Sequence, residues 1–143
     1  MWNDPEELRD RMKSGKLYNT ADPQLQAQQR QCNELVYDYN ATRPSETQRR
    51  EELLKQIFAE VGEGCWIEPP LRANWGCNTH LGKNVYANFN LTLVDDTHVY
   101  IGDSVMIGPN VTITAAGHPI DPDLRRQVMQ YNFPVRIEEN VWI

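Results

Sequence analysis

The sequence predicts a mainly β fold: a parallel β-helix built on a six-residue repeat over residues 61–143, preceded by an α-helical segment over residues 1–60. Two observations carry this. An apolar residue recurs at every sixth place from Val61 onward, and the stretch before it is punctuated by helix start and stop signals instead.

The helical segment opens with Asp4 as an N-cap, Pro5 at the first helical position, acidic Glu6 and Glu7, and Gly15 as the stop. Asp22-Pro23 repeats that start before a longer run in which Leu25, Cys32, Leu35, Val36 and Tyr39 share one face. Ser45 with Gln48 three residues on forms a capping box for a third helix, whose apolar stripe is Leu53, Leu54, Ile57 and Phe58 and whose stop is Gly62.

Written in sixes, the chain then reads VGEGCW, IEPPLR, ANWGCN plus the pair TH; LGKNVY, ANFNLT, LVDDTH plus the pair VY; IGDSVM, IGPNVT, ITAAGH. Val61, Ile67, Ala73, Leu81, Ala87, Leu93, Ile101, Ile107 and Ile113 hold the first place. Three sixes and a pair make a twenty-residue unit, used at 61–80 and again at 81–100. Such a unit is a triangular coil: each six is one edge, and first-place side chains of successive coils stack into a prism-shaped core. The two extra residues place a bulged corner at the same point of each coil, a natural wall for a site. Cys65 and Cys77 fall in the fifth place, where small inward-facing residues are expected. After His118 the rows break for an extended loop at about 118–136, and Ile137 resumes them. The sequence stops in mid-row at Ile143, so a C-terminal piece that would cover the last coil is expected to be missing.

Composition narrows the function. One domain's worth of chain, 143 residues with 40% hydrophobic, supports a real core. A net charge of −6 leaves no basic stripe for a phosphate backbone, which argues against nucleic-acid binding. No apolar run approaches a membrane span and "MWNDPEELRD" lacks the features of a secretory signal, so a cytoplasmic protein with no membrane partner is expected. Cys32, Cys65 and Cys77, odd in number and without a C-x-x-C pair, read as free thiols.

One histidine stands out. His118 ends the small-residue run TITAAGH, just where the rows break. By position alone it serves equally as a catalytic base or as a cap tied to backbone groups. Asn88, by position alone, reads as a corner asparagine in left-handed backbone.

The motifs SGKLYN, VYDYNATRPSE, YANFNLTLVDD, IGPNVTI, AAGHP and NVWI together resemble the hexapeptide-repeat acyltransferases, and within them the galactoside and maltose O-acetyltransferases. The resemblance implies that the β-helix is left-handed and that the protein is a homotrimer with active sites between neighbouring prisms. It also implies acetyl-CoA as co-substrate, a sugar hydroxyl of the maltose, glucose or galactoside type as acceptor, and no metal. It gives His118 the role of general base and Asn88 that of a hydrogen-bond donor to the acceptor or the developing oxyanion. Asp96 and Asn74 match acceptor-binding positions, with Asn74 standing where relatives can have serine. An N-terminal aspartate that reaches over the sugar aligns with Thr20 here, while Asp22, two residues on, is the nearest carboxylate and also the proposed N-cap. Tyr86 and Trp75 lie beside the same site, as sugar-stacking rings or as wall. Trp142 is the position bordering the coenzyme A tunnel, or else packs under the loop; the remaining donor contacts of the family lie in coils after NVWI.

Two other readings share the fold. One is a zinc-dependent carbonic-anhydrase-like β-helix using His80, His98 and His118, although their spacings of eighteen and twenty residues are far from the close pair such a site uses. The other is a non-catalytic or truncated hexapeptide-repeat subunit, against which the presence of His118 counts.

Overall fold

The computed structural model describes residues 5–143. Asp4, the expected cap of the first helix, lies outside the described residues. The helical segment comprises α1 (Pro5–Lys13), a short strand β1 (Tyr18–Asn19), α2 (Pro23–Asn40) and α3 (Thr47–Ile57). Three coils follow: β2 (Glu60–Val61), β3 (Trp66–Ile67) and β4 (Leu71–Ala73); β5 (Thr79–Leu81), β6 (Tyr86–Ala87) and β7 (Leu91–Val94); β8 (Val99–Ile101), β9 (Met106–Ile107) and β10 (Thr112–Thr114). An excursion of β11 (Ala116–Gly117), α4 (Pro122–Arg126) and β12 (Met129–Asn132) precedes β13 (Val135–Ile137).

The coils stack as three parallel sheets, one per edge of the triangle. The pairing brings first-place residues into register: Val61, Leu81, Ile101 and Ile137 on one face, Ile67, Ala87 and Ile107 on the second, Ala73, Leu93 and Ile113 on the third. All but the partly buried rim residues Val61 and Ile137 are buried. The six-residue period is therefore the period of the core.

Most of the corners follow from the fourth place of the row. Asn84, Asn90, Ser104, Asn110 and Asn140 all have φ between 55° and 64°, and Gly64 has 77°. Asparagine and glycine are the residues that enter left-handed backbone at least cost. Asn88 is not among them: its row is turned by Asn90 instead.

Four expectations need correction. The capping box at Ser45 and Gln48 does not form: the helix opens after Glu46, Gln48 donates to Glu52, and the Glu46 carboxylate reaches back to the Arg43 amide at 2.6 Å. Gly62 does not end α3, which stops at Ile57. Gly62 belongs to the first coil, where a Cβ would lie 2.4 Å from the Gly82 carbonyl of the coil below. Cys77 is exposed, because the chain turns through Gly76 at φ 63° and Thr79 takes the inward place instead. Finally, the segment after His118 is not a structureless loop. Its strands β11 and β12 pair antiparallel, and β12 pairs again with β1 of the helical segment.

The helices cover the open end of the prism. Tyr39 on α2 donates to the Ile67 carbonyl at 2.5 Å, and Asn40 exchanges two hydrogen bonds with Leu71, at 2.9 and 2.8 Å. These side chains satisfy backbone groups that the first coil would otherwise leave unpaired beside an apolar core. No helix among the described residues is long and apolar enough to cross a membrane.

Candidate active site

His118 follows β11 and stands at the mouth of the excursion, exposed. Its Nδ1 lies 2.8 Å from the Met129 carbonyl oxygen on β12. A carbonyl only accepts, so Nδ1 carries the proton and the lone pair of the neutral ring sits on Nε2. The residue before it is glycine because β12 passes close: a Cβ on Gly117 would be 3.0 Å from the Tyr131 ring.

Next to Met129, Gln130 turns inward. Its amide nitrogen lies 3.1 Å from Asp96 Oδ1 and 2.6 Å from the Tyr18 hydroxyl. Asp96 Oδ2 accepts from Asn74 at 3.0 Å. Asn132, fully buried, donates toward the carbonyls of Met12 and Asp96 at 3.0 and 3.1 Å. This buried polar network ties together α1, β1, the second-coil corner and the strand that holds His118. Burial pushes the Tyr18 phenol well above its ordinary range, so it stays protonated at neutral pH. Asn74, Asp96 and His118 are thus connected at one corner, through β12.

Asp95, the neighbour of Asp96, points the other way. Its oxygens accept from the Trp75 amide and the Thr79 hydroxyl, both at 2.8 Å, and burial pushes its carboxyl up to about 6. It holds the bulged corners of successive coils together.

Asn88 and Tyr86 occupy a different corner, at the start of the face that Asn74 and Asp96 end. Strand β7 runs between the two corners, roughly 13 Å for four residues. Asn88 accepts from the Phe89 amide through Oδ1 at 2.8 Å, which leaves its NH2 as the group available to donate. Among the described residues no hydrogen bond or ring contact joins Asn88 to His118.

Asp22 is the N-cap of α2, its Oδ1 accepting from Gln24 and Leu25 amides at 2.8 and 3.3 Å. Thr20, not Asp22, touches the excursion, donating to the Val128 carbonyl at 3.1 Å. Trp75 is buried with Leu8, Met12, Tyr18 and Leu25, as wall rather than as an open stacking ring. Trp142 does not pack under the excursion: it is 82% exposed on the outermost row, bridged to Met106. His80 and His98, eighteen residues apart in the sequence, are neighbours in the fold. His80 Nε2 lies 3.0 Å from His98 Nδ1, and His80 Nδ1 lies 2.9 Å from Glu60. Among the described residues no group of three His, Cys, Asp or Glu side chains is arranged to hold a metal ion.

Tyr18, Met129, Gln130 and Asn132 are the site components that sequence reasoning missed. For Gln130 and Asn132 the signal was the alternation in MQYNF, where they share one face of a strand and Tyr131 and Phe133 the other.

A three-sided coil of stacked six-residue edges, interrupted by an excursion that presents a tautomer-fixed histidine at a polar corner, defines the hexapeptide-repeat acyltransferase class. A family model described as the maltose acetyltransferase hexapeptide capping motif matches residues 11–62. The chain is 46% identical over 136 residues to a galactoside O-acetyltransferase of Escherichia coli (strain K12), covering 95% of this chain and 67% of that protein. It is 48% identical over 134 residues to a galactoside O-acetyltransferase of Lactococcus lactis subsp. lactis (strain IL1403), covering 93% of this chain and 65% of the relative. A solved galactoside acetyltransferase in complex with coenzyme A superposes with a TM-score of 0.91 at 45% identity, over 98% of this chain and 69% of that one. The chain therefore belongs to the galactoside and maltose O-acetyltransferase family of hexapeptide-repeat proteins, and spans about two thirds of the length of these relatives.

Proposed function

We propose that the protein transfers an acetyl group from acetyl-CoA to a sugar hydroxyl, with His118 as general base. The carrying observation is the His118 Nδ1 hydrogen bond to the Met129 carbonyl, which leaves Nε2 free to accept a proton. A sugar hydroxyl is a poor nucleophile at neutral pH and needs such a base within hydrogen-bond reach. His118 takes the hydroxyl proton as the oxygen attacks the thioester carbonyl, and the imidazolium returns it to the departing sulfur. One residue thus serves both half-steps, with no acyl-enzyme.

Asp96, held by Asn74 and Gln130, keeps lone pairs that suit acceptor hydroxyls, and Asn74 lies beside it. Asp22 fixes the start of α2 near this corner. The separation of Asn88 and Tyr86 from His118 supports a site completed between protomers of a homotrimer, one chain supplying Asn74, Asp96 and His118 and its neighbour supplying Asn88 and Tyr86. Asn88 would then donate its amide hydrogen to the acceptor or the oxyanion. Trp142, exposed on the last row, is assigned to the donor side on the motif resemblance, and its exposure leaves the ring open to contact. Acceptors of the galactoside or maltose type fit the names of the relatives and of the matching family model, and glucose is added on the motif resemblance alone.

Incubation with acetyl-CoA and a panel of glucose, maltose and galactosides, read by sugar mass, tests this reading. Acetylated product that disappears in His118→Ala is expected. Product formed equally by that variant would remove His118 from the mechanism.

A further inference from the structure

A second cleft, of about 470 Å³, opens between the start of α3 and the first coil, and none of the residues of the His118 corner line it. Thr47, Gln48, Arg50, Glu51, Glu63 and Trp66 are on its wall. Arg50 is only 5% exposed. Its Nε donates to the Thr42 hydroxyl at 2.8 Å and its Nη2 to the Thr42 carbonyl at 3.4 Å, and the guanidinium lies 5.7 Å from the centroid of the Trp66 ring. Every one of these partners is neutral. Among the described residues no carboxylate lies within ion-pair distance of Arg50, and none supplies an acceptor for Nη1; Glu68, on the Trp66 side, is engaged by the Trp66 indole N–H at 2.8 Å. The guanidinium thus keeps an N–H edge that no protein group engages, and an anion is the partner that matches its charge.

The wall next to it favours the same charge. Thr47 and Gln48 are the first two residues of α3, an eleven-residue helix whose N-cap Glu46 makes no side-chain cap hydrogen bond. The amides of that first turn and the positive end of the helix dipole therefore stand beside the guanidinium. Glu51, also on the wall, is neutralised by Lys55 at 2.7 Å, while Glu63 keeps a negative charge at the rim. One cationic centre behind a partly acidic rim admits a small anionic group and disfavours a polyanion.

We propose that this cleft is a binding site for a small oxyanion, a carboxylate or a phosphate group, held by Arg50 Nη1 and the N-terminus of α3. The site is independent of acetyl transfer. Its position, between the helical cover and the first coil, lets an occupant strengthen the seam between the two.

Titration of the full chain with sodium phosphate and, separately, sodium acetate, at ionic strength held constant with sodium chloride, tests the proposal through the NMR signals of the Arg50 Nε–H and the Trp66 indole N–H. A saturable shift of both signals with at least one anion is expected. Saturation by phosphate alone identifies a phosphoryl ligand, by acetate alone a carboxylate, and either supports the site. Arg50→Gln is expected to weaken binding at least tenfold. Because that residue also packs the helical cover, Thr47→Glu provides the second variant: Thr47 is exposed, and a carboxylate at a helix N-terminus favours the helix while competing with the ligand. It should retain the wild-type melting temperature and also bind at least tenfold more weakly. Shifts that do not saturate by ~100 mM with either anion, or saturable binding unchanged in Thr47→Glu, would overturn the proposal.

Discussion

The His118 imidazole is fixed by the backbone carbonyl of Met129, which accepts its Nδ1–H across the β11–β12 hairpin at 2.8 Å. A base whose tautomer is set by main chain needs no carboxylate behind it, and among the described residues none is bonded to it. His118→Ala should reduce acetyl transfer by roughly 10²–10⁴-fold, the usual contribution of a positioned base. As an exposed side chain, its loss should change stability by no more than about 0.5–1 kcal/mol. Turnover and thermal melting of the same preparation check both halves.

The two-corner arrangement of Asn88 and His118 leads to a complementation test. Asn88→Ala alone should cost roughly 1–3 kcal/mol of transition-state stabilisation. If sites form between protomers, co-refolding equal amounts of Asn88→Ala and His118→Ala chains creates some interfaces with both residues intact. Random assembly of a head-to-tail trimer restores about a quarter of wild-type sites. Recovery to that level is expected, and a mixture no better than the mean of its components would place both residues in one chain's site or in none.

Asn132 and Gln130 are buried amides whose partners come from four parts of the chain. Removing one leaves buried acceptors unpaired, including the Asp96 backbone carbonyl. Asn132→Ala and Gln130→Ala should each destabilise the fold by about 1–3 kcal/mol. Gln130→Ala should also raise KM for the sugar, because it frees Asp96 Oδ1 to rotate. A denaturant midpoint indistinguishable from wild type in both variants would mean that the network does not bind the excursion to the coil.

The repeat was legible because the core of this fold is one-dimensional. Ile67, Ala87 and Ile107 stack in register because they are twenty residues apart, and spacing is what a sequence displays directly. The start of α2 was legible for a similar reason: Asp22 caps through amides two and three residues on. The capping box failed locally, because Glu46 bonds back to the Arg43 amide and Gln48 to Glu52; most of the rest that failed depends on contacts distant in the chain. Cys77 matched the period, yet the turn at Gly76 removed it from the core. Residues 118–136 lost the period and read as loop, although β12 pairs with β1 more than a hundred positions away. The candidate site divides in the same way. His118, Asn74 and Asp96 carried recognisable motifs, whereas Gln130 acquires a role only when the excursion folds back onto the second coil.

Asp95 offers a measurement of how the corner depends on charge. Its folded carboxyl is raised from the ordinary 3.8 to about 6, chiefly by burial. Between those values the folded chain holds a proton that the unfolded chain has lost, so the stabilising contribution of Asp95 is complete below about pH 4 and is lost as the pH rises through 6. The effect is on the order of 2–3 kcal/mol. Asp95→Asn preserves the shape and the acceptor for the Trp75 amide, and the Thr79 hydroxyl can rotate from donor to acceptor. The variant should therefore gain stability relative to the parent between pH 4.5 and 7.5, by that amount. Urea unfolding of both chains at the two pH values isolates the term, because every other titrating group is shared. Parallel pH dependence in the two proteins would show that the buried carboxyl is compensated by neighbours beyond Trp75 and Thr79.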